Sequence, residues 1–207
     1  MKIAILGSGD VGITLARGFE KHGYQVVMGT KRPEKKVDWK GELTGFSDAA
    51  QKSDVLVLVV KGGAAEEVIR AIAPHAAGKT VIDATNPIAD APPQKGVLKF
   101  FTNLDESLME RLQRLAPQAN FVKAFNSVGR GLMINPSLKG GPPTMFICGN
   151  SDAAKKQVVS ILQKFGWDSE DMGAAEAARA IEPLCMLWCI PGFARNQWTH
   201  AFKLLRG

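Results

Sequence analysis

Apolar and polar positions alternate along the chain in blocks that predict strands and helices in turn. Short apolar runs predict strands at 2–6, 24–28, 55–60, 80–85, 120–126, 144–149 and near 167–172. Helical spacing predicts helices at 10–22, 47–52 (capped by Ser47), from about 61 to 73, at 104–116, at 151–165 (capped by Ser151), and two more after 174, separated near Pro191-Gly192. The run VLVLVV at 55–60 is apolar throughout, which is typical of a parallel strand covered on both faces. The pattern therefore predicts an α/β fold with a doubly wound, mostly parallel sheet.

Length and composition are consistent with a single domain. The 207 residues are 45% hydrophobic and contain no Pro/Ser-rich linker, so we expect one unit over 1–207, of which 174–207 is a C-terminal helical segment. The three cysteines form neither a CxxC motif nor a zinc pattern; Cys185 and Cys189, four apart in an apolar run, are expected to be buried, reduced thiols. No segment resembles a signal peptide or a membrane span, so we expect a cytoplasmic protein without a membrane partner.

The net charge of +6 is concentrated in one place. Residues 31–40 contain five bases and two acids, a local charge of +3, just after the predicted second strand. A nucleic-acid face would need a broader basic stripe, so a focused anion site is favoured and no nucleic-acid partner is expected. Lys36 and Lys40 are equally well interpreted as solvated loop residues.

The first predicted strand leads into a glycine-rich turn, Gly7-Ser8-Gly9-Asp10-Val11-Gly12, which fits the dinucleotide-binding pattern G-x-G-x-x-G. Gly7 permits a tight turn, Gly9 lets the backbone approach a pyrophosphate, and Gly12 allows close packing of helix on strand. The following helix would direct N–H groups at the phosphates. Asp10 is predicted to cap this helix, because a carboxylate would otherwise repel the pyrophosphate.

The residues after the second predicted strand indicate which dinucleotide binds. Thr30, Lys31 and Arg32 stand where an acidic residue would accept hydrogen bonds from a ribose 2′-hydroxyl. Their hydroxyl, ammonium and guanidinium groups suit a 2′-phosphate instead, which favours NADP(H). Lys35 can reach the same phosphate if Pro33 turns the chain back. The alternative is that these are ordinary loop residues.

Ligands of doubly wound sheets bind outside the carboxyl ends of the strands. This rule adds three segments to the predicted cofactor groove: Val60-Lys61-Gly62, Thr85-Asn86-Pro87 and Ala124-Phe125-Asn126. Asn86 and Asn126 would orient the nicotinamide or its ribose, although each alone is equally consistent with a turn.

No nucleophile–base pair, paired-carboxylate site or metal cluster stands out, so no catalytic residue and no metal ligand is assigned. We expect a cofactor to supply the chemistry while the protein positions it.

The segments GSGDVG, GTKRPEK, VIDATNP, VKAFN and IEPLCMLW…FKLL together resemble the NADP oxidoreductases that depend on the deazaflavin coenzyme F-420. The resemblance covers nearly the whole chain, and the reductase domain of the mammalian metalloreductases is a close cousin. It implies a Rossmann-like fold in which Ser8, Gly9, Asp10 and Val11 contact the pyrophosphate, and Thr30, Lys31 and Lys35 hold the 2′-phosphate. It also implies that the backbone near Val60 and Ala201 lines the nicotinamide side.

These residues favour the first of three functions and leave the other two as alternatives. The first is an NADP(H)-dependent oxidoreductase that passes hydride between NADPH and F-420 or a related flavin-type acceptor. The second is an NADPH-dependent reductase of a small imine or carbonyl, and the third is a non-catalytic NADP(H)-sensing protein.

The run 181–193 is apolar nearly all round, which predicts a helix buried under a neighbour or against a second subunit. We expect a homodimer with a shared groove.

Overall fold

The computed structural model describes residues 1–207. The strands are β1 (Lys2–Leu6), β2 (Gln25–Gly29), β3 (Glu42–Thr44), β4 (Val55–Leu58), β5 (Thr80–Asp83), β6 (Asn120–Lys123), β7 (Thr144–Ile147) and β8 (Asp168–Asp171). The α-helices are α1 (Asp10–Lys21), α2 (Phe46–Gln51), α3 (Gly62–Ala76), α4 (Leu108–Leu115), α5 (Asp152–Lys164) and α6 (Ala178–Arg195). Short 3₁₀ turns lie at Arg130–Leu132 and Ala175–Ala177.

The first six strands form one parallel sheet in the order β3-β2-β1-β4-β5-β6. The chain runs outward from β1 to β3 and then crosses back to β4, so the strand order reverses between β1 and β4. At such a switch point the loops leaving the two neighbouring strands separate, and a crevice opens at their carboxyl ends. The predicted α/β, Rossmann-like, doubly wound sheet is thereby confirmed.

Both faces of the sheet are covered, as the apolar run in β4 predicts. Val55 and Val57 point to one face, with α1 and α5, while Leu56 and Leu58 point to the other, with α2, α3 and α4. All four side chains are fully buried. The alternation along a strand sends successive residues to opposite faces, so a strand covered twice must be apolar at every position.

Two parts of the strand pattern differ from the prediction. The sheet has an edge strand, β3, that the sequence analysis missed; it has only three residues, none of them buried. In addition, β7 and β8 pair with each other in a separate two-stranded sheet. A single antiparallel bridge between Lys123 and Cys148 joins this small sheet to the edge of the large one.

The predicted helix at 104–116 is wrong in its first turn. Asn103 Oδ1 accepts hydrogen bonds from the backbone of Asp105 and Glu106, which holds residues 103–106 in a turn. The helix begins at Leu108, where Ser107 and Glu110 form a reciprocal capping box. The signal Ser-x-x-Glu was therefore present in the sequence at 107–110.

Two other helix ends were also mispredicted. Ser47 does not cap α2: the helix begins at Phe46, its N-cap is Gly45, and no side chain caps it. The third helix continues past Ala73 to Ala76 and contains Pro74. Ser151 does cap α5, because its Oγ accepts from Ala154 N at 3.3 Å.

The C-terminal region forms one long helix where two were predicted. Helix α6 continues through Pro183 and Pro191, ends at Arg195, and is closed by Asn196 in the left-handed conformation (φ 53°). Residues 196–207 are not helical. Tertiary contacts hold the helix together near Pro191: Trp188 Nε1 donates to His200 O at 2.8 Å, and the His200 ring stacks on Trp188.

None of the helices combines the length and the hydropathy that crossing a membrane requires.

Candidate dinucleotide-binding site

The glycine loop between β1 and α1 is packed against the end of β4. Gly7 has φ 137°, and a Cβ at this position would lie 2.6 Å from Val59 O, so only glycine fits. Gly12 is equally restricted, because a Cβ there would overlap Gly7 O. Nothing lies within 4 Å of the Cβ position of Gly9, so the backbone is open to a ligand at that point. The loop thus has the shape that a bound diphosphate requires: a fixed turn beneath an open surface.

The predicted role of Asp10 as the helix cap is wrong. Gly9 occupies the N-cap position, and Asp10 is the first residue of α1. Its carboxylate instead contacts Arg130, with Oδ2 at 2.5 Å from Nη1. Because Arg130 follows β6 in the chain, this ion pair joins the first helix to the loop that leaves the edge strand β6. Sequence analysis did not assign Arg130, since no motif marks it.

The segment after β2 lies beside the glycine loop. Ser8 and Thr30 share a hydrogen bond between their hydroxyl oxygens, which are 3.0 Å apart. Lys35 N donates to Arg32 O at 3.1 Å, so the chain turns back at Pro33 as expected. A cavity of about 360 Å³ opens here. It is lined by the predicted residues Gly7, Ser8, Thr30, Lys31, Arg32 and Lys35, and by Val60 and Glu67 among others.

Lys31 reaches across this cavity to helix α3. Its Nζ lies 2.9 Å from Glu67 Oε1, and the two side chains are 75% and 69% exposed. Glu67 was not identified from the sequence, because nothing in the helical pattern distinguishes it from a solvated surface residue.

A second cavity, of about 630 Å³, adjoins the first and shares Val60, Ala64 and Glu67 with it. The predicted residues Lys61 and Asn86 line it. So do Ile88 and Phe101 from the irregular segment that follows β5, which the sequence analysis did not assign to the site. The two cavities form a continuous groove along the carboxyl edge of the sheet.

Asn86 and Asn126 are brought together, but they bond to each other. Asn86 Nδ2 donates to Asn126 O at 2.8 Å, and Asn126 Nδ2 donates to Asn86 Oδ1 and to Ile181 O, at 3.2 and 2.9 Å. Asn126 is 4% exposed, whereas Asn86 borders the groove. The pair therefore connects the ends of β5 and β6 to helix α6, and Asn126 Oδ1 is left without a hydrogen-bond partner.

The remaining predicted residues do not line either cavity. Gly9, Asp10, Val11 and Gly12 lie on the glycine loop and first turn of α1, and Pro87 follows Asn86. Ala124 is fully buried, so neither its side chain nor its backbone faces the groove. Ala201 lies in the non-helical C-terminal segment and packs against the core that includes α1.

Below the strand ends lies a buried ionic cluster of Lys123, Asp83 and Glu182. Lys123 Nζ lies 2.7 Å from Asp83 Oδ2, 2.8 Å from Glu182 Oε1 and 3.0 Å from Thr85 O. Burial by itself would lower the pKa of Lys123, but the two carboxylates more than offset this and raise it, so the ammonium stays charged.

Glu182 also caps helix α4. Its carboxylate accepts hydrogen bonds from Leu108 N and Met109 N, at 2.9 and 3.0 Å. Helix α6 is thereby joined to the sheet through Lys123 and to the positive end of α4.

The cysteines take no part in the groove. All three are free thiols; Cys148 and Cys185 are buried, and Cys189 is partly buried. Burial raises the pKa of Cys148 to about 12, which keeps its thiol protonated.

Comparisons with known proteins agree with this architecture. Residues 2–87 match the family described as NADP oxidoreductase, coenzyme F420-dependent. A solved structure from Arthrobacter sp. FB24, described as that of a candidate F420-dependent NADP-reductase, is 30% identical to this chain. The two superpose over 100% of both chains with a TM-score of 0.92. The chain belongs to the family of F420-dependent NADP oxidoreductases. This membership confirms the predicted family and places the chain among the NADP-dependent oxidoreductases.

Two curated relatives show how the similarity is distributed. The F420-dependent NADP reductase of Methanocaldococcus jannaschii is 28% identical over 207 residues, which cover 90% of each protein. Metalloreductase STEAP3 of Rattus norvegicus is 30% identical over 92% of this chain, but the matched region spans 38% of its length. The similarity to the metalloreductases is therefore confined to one part of those proteins.

Proposed function

We propose that this protein binds NADP(H) in the groove and exchanges hydride between it and coenzyme F-420 or a related flavin-type acceptor. The observation that carries the proposal is the position of Thr30, Lys31, Arg32 and Lys35 around a cavity that borders Gly7 and Ser8. A dinucleotide whose diphosphate rests on the glycine loop would extend its adenosine ribose toward these donors. Family membership supports the same assignment.

At the diphosphate end, the open surface above Gly9 and the N–H groups of the first turn of α1 would bind the phosphates. Asp10 would repel them, and its pairing with Arg130 reduces this repulsion. We therefore propose Arg130 as a further residue of the diphosphate site. Gly7, Ser8, Gly9, Asp10, Val11 and Gly12 stay proposed site residues in this half of the groove.

At the nicotinamide end, Val60, Lys61 and Asn86 would line the ring and its ribose, with Pro87 and Ala201 contributing through backbone. Ala124 is fully buried and would support this end of the groove without touching the ligand. Asn126 would act indirectly, because it is buried and holds Asn86 in place. The bound dinucleotide supplies the hydride. The protein's part is to hold two flat rings at van der Waals distance and exclude water between them, for which the cavity beside Ile88 and Phe101 offers apolar walls.

We further propose that the protein is a cytoplasmic homodimer that binds neither nucleic acid nor membrane. Helix α6 leaves Leu187 55% and Phe193 45% exposed, and Val97, which follows the Gly96 that lies against Phe193, is 42% exposed. A second copy of the chain would cover these side chains. Sedimentation of wild type and of Leu187→Glu tests this: we expect a dimer that the substitution weakens, and a wild-type monomer at micromolar concentration would contradict it.

Two measurements test the proposed reaction. Calorimetry with NADPH and NADH should show a clear preference for NADPH. Stopped-flow mixing of the NADPH-loaded protein with F-420, FMN, FAD and a ferric chelate, each separately, should show oxidation of the nicotinamide with the deazaflavin or a flavin. Tight NADPH binding without oxidation by any acceptor would favour a sensing protein instead.

A further inference from the structure

Glu67 is placed at the junction of the two cavities. It lies on α3, lines both cavities, and reaches over the opening of the first to Lys31. Of the side chains that line the proposed 2′-phosphate cavity, Glu67 is the single acidic one, whereas Lys31, Arg32 and Lys35 are basic. A carboxylate is therefore built into a site whose ligand would be an anion.

The geometry allows this carboxylate to be exchanged for a phosphate. Glu67 Oε1 is 2.9 Å from Lys31 Nζ, yet both side chains are well exposed and neither is held by other side-chain hydrogen bonds. An ion pair of this kind contributes little to stability and separates readily in water. The ammonium of Lys31 can therefore turn from the carboxylate to a phosphate oxygen at small cost.

We propose that Glu67 is a specificity-determining residue that competes with the 2′-phosphate of NADP(H) for Lys31. This inference rests on the proposed function, because it assumes that the phosphate lies among Lys31, Arg32 and Lys35. A 2′-phosphate carries close to two negative charges, so it displaces Glu67 but then lies near an unpaired carboxylate. A 2′-hydroxyl brings no charge and experiences no such repulsion. Glu67 thus weakens NADP(H) binding selectively and keeps the dinucleotide exchangeable.

Removing the charge of Glu67 should therefore tighten NADPH binding. For Glu67→Gln we expect the dissociation constant for NADPH to fall by about 2- to 5-fold, the range that corresponds to an exposed ion pair. The constant for NADH should change less than about 2-fold. The gain should shrink in higher salt, because exposed charges are screened over roughly 10 Å at 0.1 M.

Glu66→Gln is the matched control. Glu66 is the preceding residue of the same helix, pairs with Arg70 one turn later at 3.0 Å, and lines neither cavity. Glu66→Gln removes one negative charge from α3, as Glu67→Gln does, and should leave the dissociation constants for NADPH and NADH unchanged. In the background of Lys31→Ala, Glu67→Gln should give a smaller gain than in wild type, because the competition acts through Lys31.

Calorimetry of these variants separates two failures. If wild type binds NADH as tightly as NADPH, the proposed function is wrong and this inference falls with it. If wild type prefers NADPH but Glu67→Gln leaves its affinity unchanged, the inference alone is overturned. The same holds if Glu67→Gln weakens both dinucleotides, since Glu67 would then be a ligand of the adenosine they share.

Discussion

Two groups of charged side chains lie near the carboxyl edge of the sheet and differ mainly in their exposure to water. Lys123, Asp83 and Glu182 are at most 2% exposed and bond to one another and to backbone groups. Lys31 with Glu67, and Arg130 with Asp10, are between 58% and 75% exposed. A buried charge keeps its partner because separation would leave it unsolvated, whereas an exposed one can exchange its partner for a ligand. The first group therefore joins β5, β6 and α6, whereas the cations of the second group can change partner, as the proposed phosphate binding requires.

The largest expected effect comes from breaking the buried cluster. Lys123→Met leaves two carboxylates buried without a cation, and we expect it to lower the free energy of unfolding by about 3–5 kcal/mol. Chemical denaturation measures this. Lys31→Met, the same substitution at the exposed pair, should change stability by less than about 0.5 kcal/mol. A similar loss for both variants would show that exposure does not separate the two groups.

A second substitution tests whether the exposed cations bind the ligand. Lys31→Ala combined with Arg32→Ala should weaken NADPH binding by roughly 1.5–3 kcal/mol per lost charge-assisted hydrogen bond, with little effect on NADH. Calorimetry with both dinucleotides measures this. The control is Lys36→Ala with Lys40→Ala, which removes the same charge from the same loop outside the cavity. If the control variant lost as much NADPH affinity, the effect would come from the net charge of the loop and not from direct contacts with the phosphate.

The smallest expected effect concerns a pair of intermediate exposure, Glu110 with Arg179. The hydrogen bonds from Arg179, partly offset by burial, lower the pKa of Glu110 from 4.5 to about 2, and Ser107 adds to the shift. A lowered pKa means that this stabilisation is complete above about pH 4.5 and is lost as the pH falls toward 2.

Glu110→Gln keeps an oxygen acceptor for the capping box but loses the ion pair with Arg179, so it should lower the free energy of unfolding at neutral pH by about 0.2–1 kcal/mol. It should also make stability less dependent on pH between 4.5 and 2. Denaturation at several pH values measures both, and an unchanged acid dependence would contradict the assignment.

Much of the arrangement around the proposed phosphate-binding half of the groove could be predicted, because its signals are local. The glycine spacing and the bases after β2 occupy contiguous positions, and the turn at Pro33 brings Lys35 to the same cavity. Glu67 and Phe101 escaped prediction because each reaches the groove from a different element and carries no motif. Arg130 escaped it because it meets Asp10 from the loop after β6. Asn126 was assigned to the groove from its position after β6, but the side chain is buried and bonds to α6.

The fold, like the groove, has features with a local sequence signal, which were predicted, and features without one, which were missed. Strands covered on both faces were predicted because burial on two sides requires an apolar residue at every position. The edge strand β3 was missed, since three residues at an edge need no such pattern. The start of α4 was misplaced because the turn at Asn103 and the capping box at Ser107 prevail over helical spacing.

The sequence by itself determined the alternating strands and helices, the turn that only glycine permits, and the cations that follow the second strand. These depend on interactions between near neighbours in the chain. Tertiary structure alone decided that α6 would continue through two prolines, that Lys123 would meet Asp83 and Glu182, and that Glu67 would face Lys31. Residues 31 and 67 or 123 and 182 are far apart along the chain, and only the packing of helices on the sheet brings their charges within reach of each other.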